Sequence, residues 1–452
     1  MTKQQRLVLL VAILASFVAF LDGSVVNVAL PAISRDLGGG LSAQPWIVDG
    51  YMLTLGTLIL IAGSLSDLFG RKRILKLGLI GFGVASVLCA LAPSSGALVG
   101  ARMLQGVAGA LLVPSSLAII MASFDGEAKG RAIGSWTAWT GISFVIGPLL
   151  GGFLVDAASW RWIFAINVLP IAVTLALLTR LDQPEQIREN TKVDYVGALL
   201  CTFGLGAFVY ALIEQTRYGW TNPLILVPLV AGPLLLAAFI VWERHYSSAM
   251  LPLSVFRNRN FSVGNVATAA IYGALALATF IIGIFLQQVG GYSAFHAGLA
   301  LLPVTVVMFF LSPRFGALAG KYGARLFMTA GPLLAALGFL LMLRIGAHVQ
   351  YWTELFPGVL LFALGLSATV APLTSAILSN VETKHSGVAS AVNNAVSRIA
   401  GLITVACIGL FAGSHLDVAG FHRTLLAVAG LMLVGSVISA IGIQNPSRET
   451  AA

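Results

Sequence analysis

The chain has 452 residues, of which 58% are hydrophobic and only 10% charged, against about 25% charged in soluble domains. This balance excludes a soluble globule. The net charge of +9 is no nucleic-acid signature, because the cations sit in short connections between apolar runs, as the positive-inside rule leads one to expect.

Apolar runs of about 20 residues, each enough to span a bilayer core as a helix, recur from end to end. Helices are predicted at 7–33, 45–67, 74–92, 97–122, 129–156, 160–180, 193–214, 222–243, 261–289, 295–317, 324–346, 352–378, 386–413 and 422–443. The first is too long for a signal-peptide core and reads as an uncleaved helix. Barrel strands would alternate over about ten residues, whereas these runs are apolar all round. Cys89, Cys201 and Cys407 all fall inside such runs, which suggests neither a disulfide framework nor a metal site. With the N-terminus inside, Arg71, Lys72, Arg73, Lys76, Lys129, Arg131, Lys192, Arg244, Arg257, Lys321 and Arg325 fall on the cytoplasmic side. Arg35, Arg161, Arg217, Arg344 and Arg423 fall outside. The expectation is a multi-pass protein with cytoplasmic N- and C-termini.

A basic turn occurs twice. Gly63-Ser-Leu-Ser-Asp67-Leu-Phe-Gly70-Arg71-Lys72-Arg73 is echoed 253 residues later by Gly316-Ala-Leu-Ala-Gly320-Lys321-Tyr-Gly323-Ala-Arg325, and Gly78 and Gly331 follow at the same spacing. Weaker echoes pair Pro114 with Pro372 and Gly130 with Gly387. Six spans need about 180–190 residues, so the surplus is the length of two more helices. The predicted organisation is a six-helix bundle over 1–181, a linker with two inserted helices and a cytoplasmic loop over 182–260, and a second six-helix bundle over 261–452. Parallel six-helix halves with a site between them at mid-membrane are a transporter pattern.

An ionisable group within a span is expensive and is a functional candidate by default. Asp22, Asp49 and Arg102 all lie in the outer half of the first bundle. One reading makes them a coupled cluster that takes and releases a proton, since burial favours the protonated acid and a nearby arginine the ionised one. The other is a static Asp–Arg fastening. Asp67, with Arg71 beside it and Arg131 on the same side, reads as a cytoplasmic gate or as solvated loop charge. Gly147, Pro148, Gly151 and Gly152 give a bend and a close seam in the fifth helix. Asn27, Trp136, Trp139, Gln287, Asn393 and Asn394 are candidates for lining a cavity, with interhelical hydrogen bonding the competing reading for the asparagines and Gln287. Glu214 and Glu354 read as capping or solvated groups. No P-loop precedes a lysine, which argues against an ATP-driven pump.

These residues resemble the fourteen-helix drug:proton antiporter branch of the major facilitator superfamily over essentially the whole chain. Leu21-Asp22-Gly23-Ser24-Val25-Val26-Asn27-Val28-Ala29-Leu30-Pro31 looks like that branch's first-helix motif, and Gly63 to Arg73 is similar to the superfamily's signature loop. Arg102-Met-Leu-Gln105-Gly106-Val-Ala-Gly109 resembles the fourth-helix motif, whose Arg is linked to proton transfer. Gly147-Pro148-Leu-Leu-Gly151-Gly152 resembles the fifth-helix antiporter motif, and Trp160-Arg161-Trp162-Ile-Phe164-Ala-Ile-Asn167 also looks like this branch. Trp46-Ile47-Val48-Asp49 is similar to quaternary-ammonium efflux members, in which an acid at this place is tied to transport.

The resemblance implies an all-α integral membrane protein of the major facilitator fold, with two six-helix bundles and an inserted pair, fourteen transmembrane helices in all. It also implies alternating access and proton-driven export of amphipathic, lipophilic or monocationic drugs. The expectation is a monomer in a bacterial cytoplasmic (inner) membrane, dealing with a small-molecule substrate, protons and the lipid bilayer but no nucleic acid. A proton gradient replaces any cofactor, with no metal and no enzymatic step. A dedicated exporter of one metabolite, lipid or antibiotic is the alternative, and a non-transporting sensor stays open. A membrane-embedded lipid-modifying enzyme would need a nucleophile–base or metal cluster near the headgroups, and the sequence offers no such set.

Overall fold

Long apolar runs punctuated by glycine and short polar turns give helices throughout. The computed structural model describes residues 1–38, 40–124, 126–181, 193–246, 249–251, 253–378, 386–413 and 416–445. Among these residues there are sixteen α-helices and no strand. They are α1 (Lys3–Leu37), α2 (Gly40–Phe69), α3 (Arg71–Ala90), α4 (Ser95–Ser123), α5 (Gly126–Ala157), α6 (Trp162–Ala165), α7 (Val168–Leu178), α8 (Tyr195–Tyr218), α9 (Pro223–His245), α10 (Arg259–Gln288), α11 (Ala294–Tyr322), α12 (Ala324–Leu341), α13 (Phe356–Leu378), α14 (Ser386–Ala406), α15 (Ile408–Ala412) and α16 (Val418–Gly442). Eleven helical stretches among the described residues are long and apolar enough to cross a membrane, and Ile146–Ala157 and Trp162–Leu178 are shorter apolar stretches.

The helices depart from the predicted runs where polar groups intervene. α1 begins at Lys3 because Thr2 and Gln5 cap it reciprocally: the Gln5 N–H donates to Thr2 Oγ1 at 3.1 Å and the Thr2 N–H to Gln5 Oε1 at 3.0 Å. This is a capping box placed upstream of the apolar run. The predicted 160–180 helix is broken into α6 and α7. At the break the Asn167 N–H donates to the Phe164 carbonyl three residues back, at 3.2 Å, and the Asn167 side chain turns toward α1. The predicted 386–413 helix breaks likewise, at Cys407 between α14 and α15.

The chain divides into two compact units. The first is Met1–Met250 with Ser293–Gly298, and the second is Leu251–Tyr292 with Leu299–Ala452. In the first, α2 and α3 pack on α4, α1 packs on α5 and α4, and α8 lies along α2 with α9 against it. Gly204 and Gly232 let α8 and α9 cross closely: a Cβ on either would sit 3.1 and 2.9 Å from the other's carbonyl oxygen. Trp46 Nε1 of α2 donates to Glu214 Oε1 of α8 at 2.9 Å, so Glu214 is a tie between helices rather than a cap. Glu354 does cap, accepting the Gln350 N–H at 3.1 Å. In the second unit, α10 packs on α14 and α16, and α12 on α13 and α16.

The repeat reappears in backbone geometry. Gly70 (φ 95°) precedes α3 and Gly323 (φ 89°) precedes α12, while Gly38 (φ 74°) follows α1 and Gly291 (φ 72°) follows α10. Each pair is 253 residues apart. Only glycine adopts this part of conformational space readily, so the corners of the two units correspond. Gly78 and Gly331 correspond in packing as well: a Cβ would meet Leu112 of α4 at 2.9 Å and Thr369 of α13 at 2.2 Å, respectively.

Candidate functional site

The site lies in the first unit, where α1, α2, α3, α4 and the α6–α7 break meet. Gly106 brings α2 against α4, since a Cβ there would stand 2.2 Å from Thr54 Oγ1 and 2.3 Å from the Tyr51 carbonyl oxygen. Thr54 Oγ1 donates to the Met103 carbonyl at 2.8 Å. One turn away on the same α4 face, Arg102 and Gln105 stand three residues apart, a spacing that aims both in one direction. Asp22, Arg102, Gln105, Ser86 and Asn167 are at most 1% exposed.

The Asp22 carboxylate is met by three donors. Arg102 Nη1 donates to Oδ2 in a buried ion pair. Gln105 Nε2 and Asn167 Nδ2 donate to Oδ1 at 2.8 and 2.9 Å. Three donors and no acceptor is the pattern of an ionised carboxylate, which only accepts. The donors are held in turn. Arg102 Nη1 also reaches Gln105 Oε1 at 2.6 Å, and its Nε reaches the Ile47 carbonyl of α2 at 3.1 Å. Its guanidinium lies 4.3 Å from the Tyr51 ring centroid and 5.7 Å from that of Phe164. Cation–π contact of this kind strengthens when desolvated. Gln105 Nε2 donates to Ser86 Oγ at 2.9 Å, and Cys89 Sγ donates to Gln105 Oε1 at 3.6 Å.

Of the predicted residues, Asp22 and Arg102 come together. Asp49 is 1% exposed, and neither of its carboxylate oxygens has a hydrogen-bond partner among the described residues. Gly147 and Gly151 form a seam with α1, where a Cβ would stand 1.9 Å from Ser24 Oγ and 2.5 Å from Val25 Cγ2. Ser24 Oγ donates to the Ser143 carbonyl across that seam at 3.1 Å. Pro148 and Gly152 face Ser293–Gly298 instead: the Gly298 Cβ would meet the Pro148 carbonyl oxygen at 2.7 Å, and that of Gly152 the Phe295 Cα at 2.5 Å. Asp156, one turn on, accepts the Ala294 and Phe295 N–H groups at 3.2 and 2.9 Å. Trp136 Nε1 donates to Ser16 Oγ at 3.0 Å, Trp139 is exposed and Asn27 half-buried.

In the second unit Asn393 Nδ2 donates to Asn265 Oδ1 and Thr268 Oγ1 of α10 at 3.2 and 2.8 Å. Asn394 Oδ1 accepts from Arg398 Nε at 2.8 Å, and Gln287 Nε2 donates to the Gly283 carbonyl at 3.1 Å. The Asp67 side chain lies outside the described residues. Arg71 Nη1 donates to the Ala118 carbonyl at 3.2 Å, and Arg131 is exposed. Gln105, Asn167 and Ser86 were not singled out from the sequence as site residues. Gln105 had a local signal in its spacing from Arg102, but Asn167 reaches Asp22, and Ser86 the two amides, only through tertiary packing.

A family model described as Major Facilitator Superfamily matches residues 12–405. The chain is 36% identical over 415 residues to the "Multidrug resistance protein Stp" of Mycobacterium tuberculosis, covering 90% of this chain and 76% of that one. It is 35% identical to the "Methylenomycin A resistance protein" of Bacillus subtilis (89% and 86% covered) and to the "Puromycin resistance protein pur8" of Streptomyces alboniger (88% and 80%). A solved structure of a peptide transporter POT in complex with sulfate superposes with a TM-score of 0.72 over 97% of this chain and 94% of that one. Its 15% identity speaks for the fold alone. A multi-pass helical architecture, a match spanning most of the chain and relatives above 30% identity together place the protein in the Major Facilitator Superfamily.

Proposed function

We propose that the protein is a proton-coupled antiporter that exports amphipathic, lipophilic or monocationic drugs across a bacterial cytoplasmic membrane by alternating access. In this reading α2 and the two shorter apolar stretches complete fourteen spans, with both termini cytoplasmic. The observation that carries it is Asp22, a fully buried carboxylate within a span whose partners are an arginine and two amides. Such a group is costly to keep in a membrane and is retained where protons or ions are handled. The resistance proteins among the relatives support efflux as the direction of transport.

Proteoliposomes with an imposed pH gradient test the proposal against a panel of cationic, neutral and anionic compounds. Gradient-driven uptake of several cations or neutral lipophiles, abolished in Asp22→Asn, is the expected result. Full gradient-driven transport by Asp22→Asn would overturn the proton role of Asp22. Relatives named for single antibiotics, methylenomycin A and puromycin, favour a second reading as a dedicated exporter of one compound. Flux with a single compound and none with the rest of the panel would establish it.

A further inference from the structure

The hydrogen bonds around Asp22 serve one protonation state only. An ionised carboxylate accepts; a carboxylic acid must also donate its hydroxyl proton, and a buried donor without an acceptor is costly. If the proton goes onto Oδ1, an acceptor has to be found among the groups already touching it. Arg102 has none to give, because guanidinium only donates. Gln105 is held at both ends: its oxygen takes Arg102 Nη1 and Cys89 Sγ, and its nitrogen gives to Asp22 and Ser86. Asn167 is held at one end. Its Nδ2 donates to Asp22 Oδ1 at 2.9 Å and stands 3.4 Å from Ser86 Oγ, while its Oδ1 is buried with no hydrogen-bond partner.

A half-turn about the last side-chain torsion exchanges the oxygen and nitrogen of an asparagine with almost no change of shape. It would set the Asn167 oxygen where the nitrogen now stands, in reach of the Asp22 hydroxyl. The hydroxyl oxygen would keep accepting from Gln105, and Oδ2 would keep Arg102. The proton comes from solvent and no other covalent bond is made or broken; the Ser86 hydroxyl, which accepts from Asn167 Nδ2 at 3.4 Å, would turn to donate to the oxygen that takes its place.

We propose that Asn167 is a positioning residue for Asp22 whose amide reverses when Asp22 takes a proton, so that α1 stays joined to the α6–α7 break in both states with opposite hydrogen-bond polarity. Asn167 sits where α6 gives way to α7, so the reversal delivers the protonation state of α1 to a break in the neighbouring helix. The charged and titratable groups touching the network are Arg102 on α4, Cys89 on α3 and Tyr51 on α2. Asp49, also on α2, makes no hydrogen bond to it. The inference rests on the proton-coupled reading.

Infrared difference spectra of the full chain in lipid, between high and low pH, test it. A carboxyl band absent from Asp22→Asn reports the proton on Asp22. A side-chain amide band absent from Asn167→Leu, and shifting in step with the carboxyl band, is the expected result. Asn167→Leu should displace the carboxyl band of protonated Asp22, because the Asp22 hydroxyl loses the acceptor that the reversed amide supplies. Asn167→Ser, whose hydroxyl both donates and accepts, should return part of that displacement. An Asp22 band that titrates with no Asn167 response, and at an unchanged frequency in Asn167→Leu, overturns the inference and leaves proton coupling standing. No titrating Asp22 band at all overturns both.

Discussion

Arg102 has five N–H donors and no acceptor, and at 1% exposure it bonds Asp22, Gln105 and the Ile47 carbonyl, all on the first unit's own helices. Removing one partner of a buried ion pair strands the other. Arg102→Met should destabilise the protein by about 3–5 kcal/mol, read as a fall in detergent thermal-unfolding midpoint. The double variant with Asp22→Asn removes both charges and should recover most of that stability while staying inactive in gradient-driven transport. At this scale the sequence was legible where residues were out of place: an Asp and an Arg inside apolar runs draw attention by their cost alone. Asn167 carried no such signal. It lies in a run that reads as one continuous span, and only the packing of α7 against α1 and α3 turns its amide onto Asp22.

At the scale of elements, glycine decides which helices touch. Gly147→Ala would place a methyl on Ser24 Oγ, and Gly106→Ala would place one on Thr54 and the α2 backbone. The first clash is with a side chain, so adding Ser24→Gly to Gly147→Ala should restore expression and thermal stability. The second is with a backbone carbonyl, and Gly106→Ala should cost about 1–3 kcal/mol as overpacking, with no single side-chain deletion that rescues it. α8 is held to α2 by a different device, the Trp46–Glu214 hydrogen bond. Glu214→Ala should loosen α8 from α2 by about 1.5–3 kcal/mol, the range for a hydrogen bond to a charged group. A lower detergent thermal-unfolding midpoint would report it. Span positions were legible because apolar length is a strong signal in membranes. The break at Cys407 was not, because it lies in mostly apolar composition, and at Asn167 a single amide and Pro170 were too small an interruption to divide an apolar run.

Across the whole molecule, duplication preserved the turns and let the chemistry diverge. Counting 253 residues on from Asp22 and Asp49 arrives at Leu275 and Leu302, and 258 on from Arg102 arrives at Leu360. The second unit thus carries no charge at those three positions, and among the described residues Asn393 of α14 bonds the uncharged Asn265 and Thr268 of α10. Asn393→Ala should therefore lower stability by about 1 kcal/mol and leave the pH profile of transport where the wild type has it, in contrast to changes at Asp22. The repeat was legible in the basic turns, but the Gly38–Gly291 pair was not: the neighbouring match, Gly39-Gly40-Leu41-Ser42-Ala43 against Gly290-Gly291-Tyr292-Ser293-Ala294, is offset by 251, and only φ pairs these two glycines. Those corner glycines have a consequence in terms of handedness. At Gly38 (φ 74°, ψ −167°) the backbone occupies a region essentially closed to L residues, at a cost of about 1–3 kcal/mol, and open to their mirror images. Nothing stands within 4 Å of an added Cβ at Gly38 or Gly291, so the penalty there belongs to chirality and not to crowding. Gly38→Ala should therefore unfold several degrees below the native protein although its methyl meets open space.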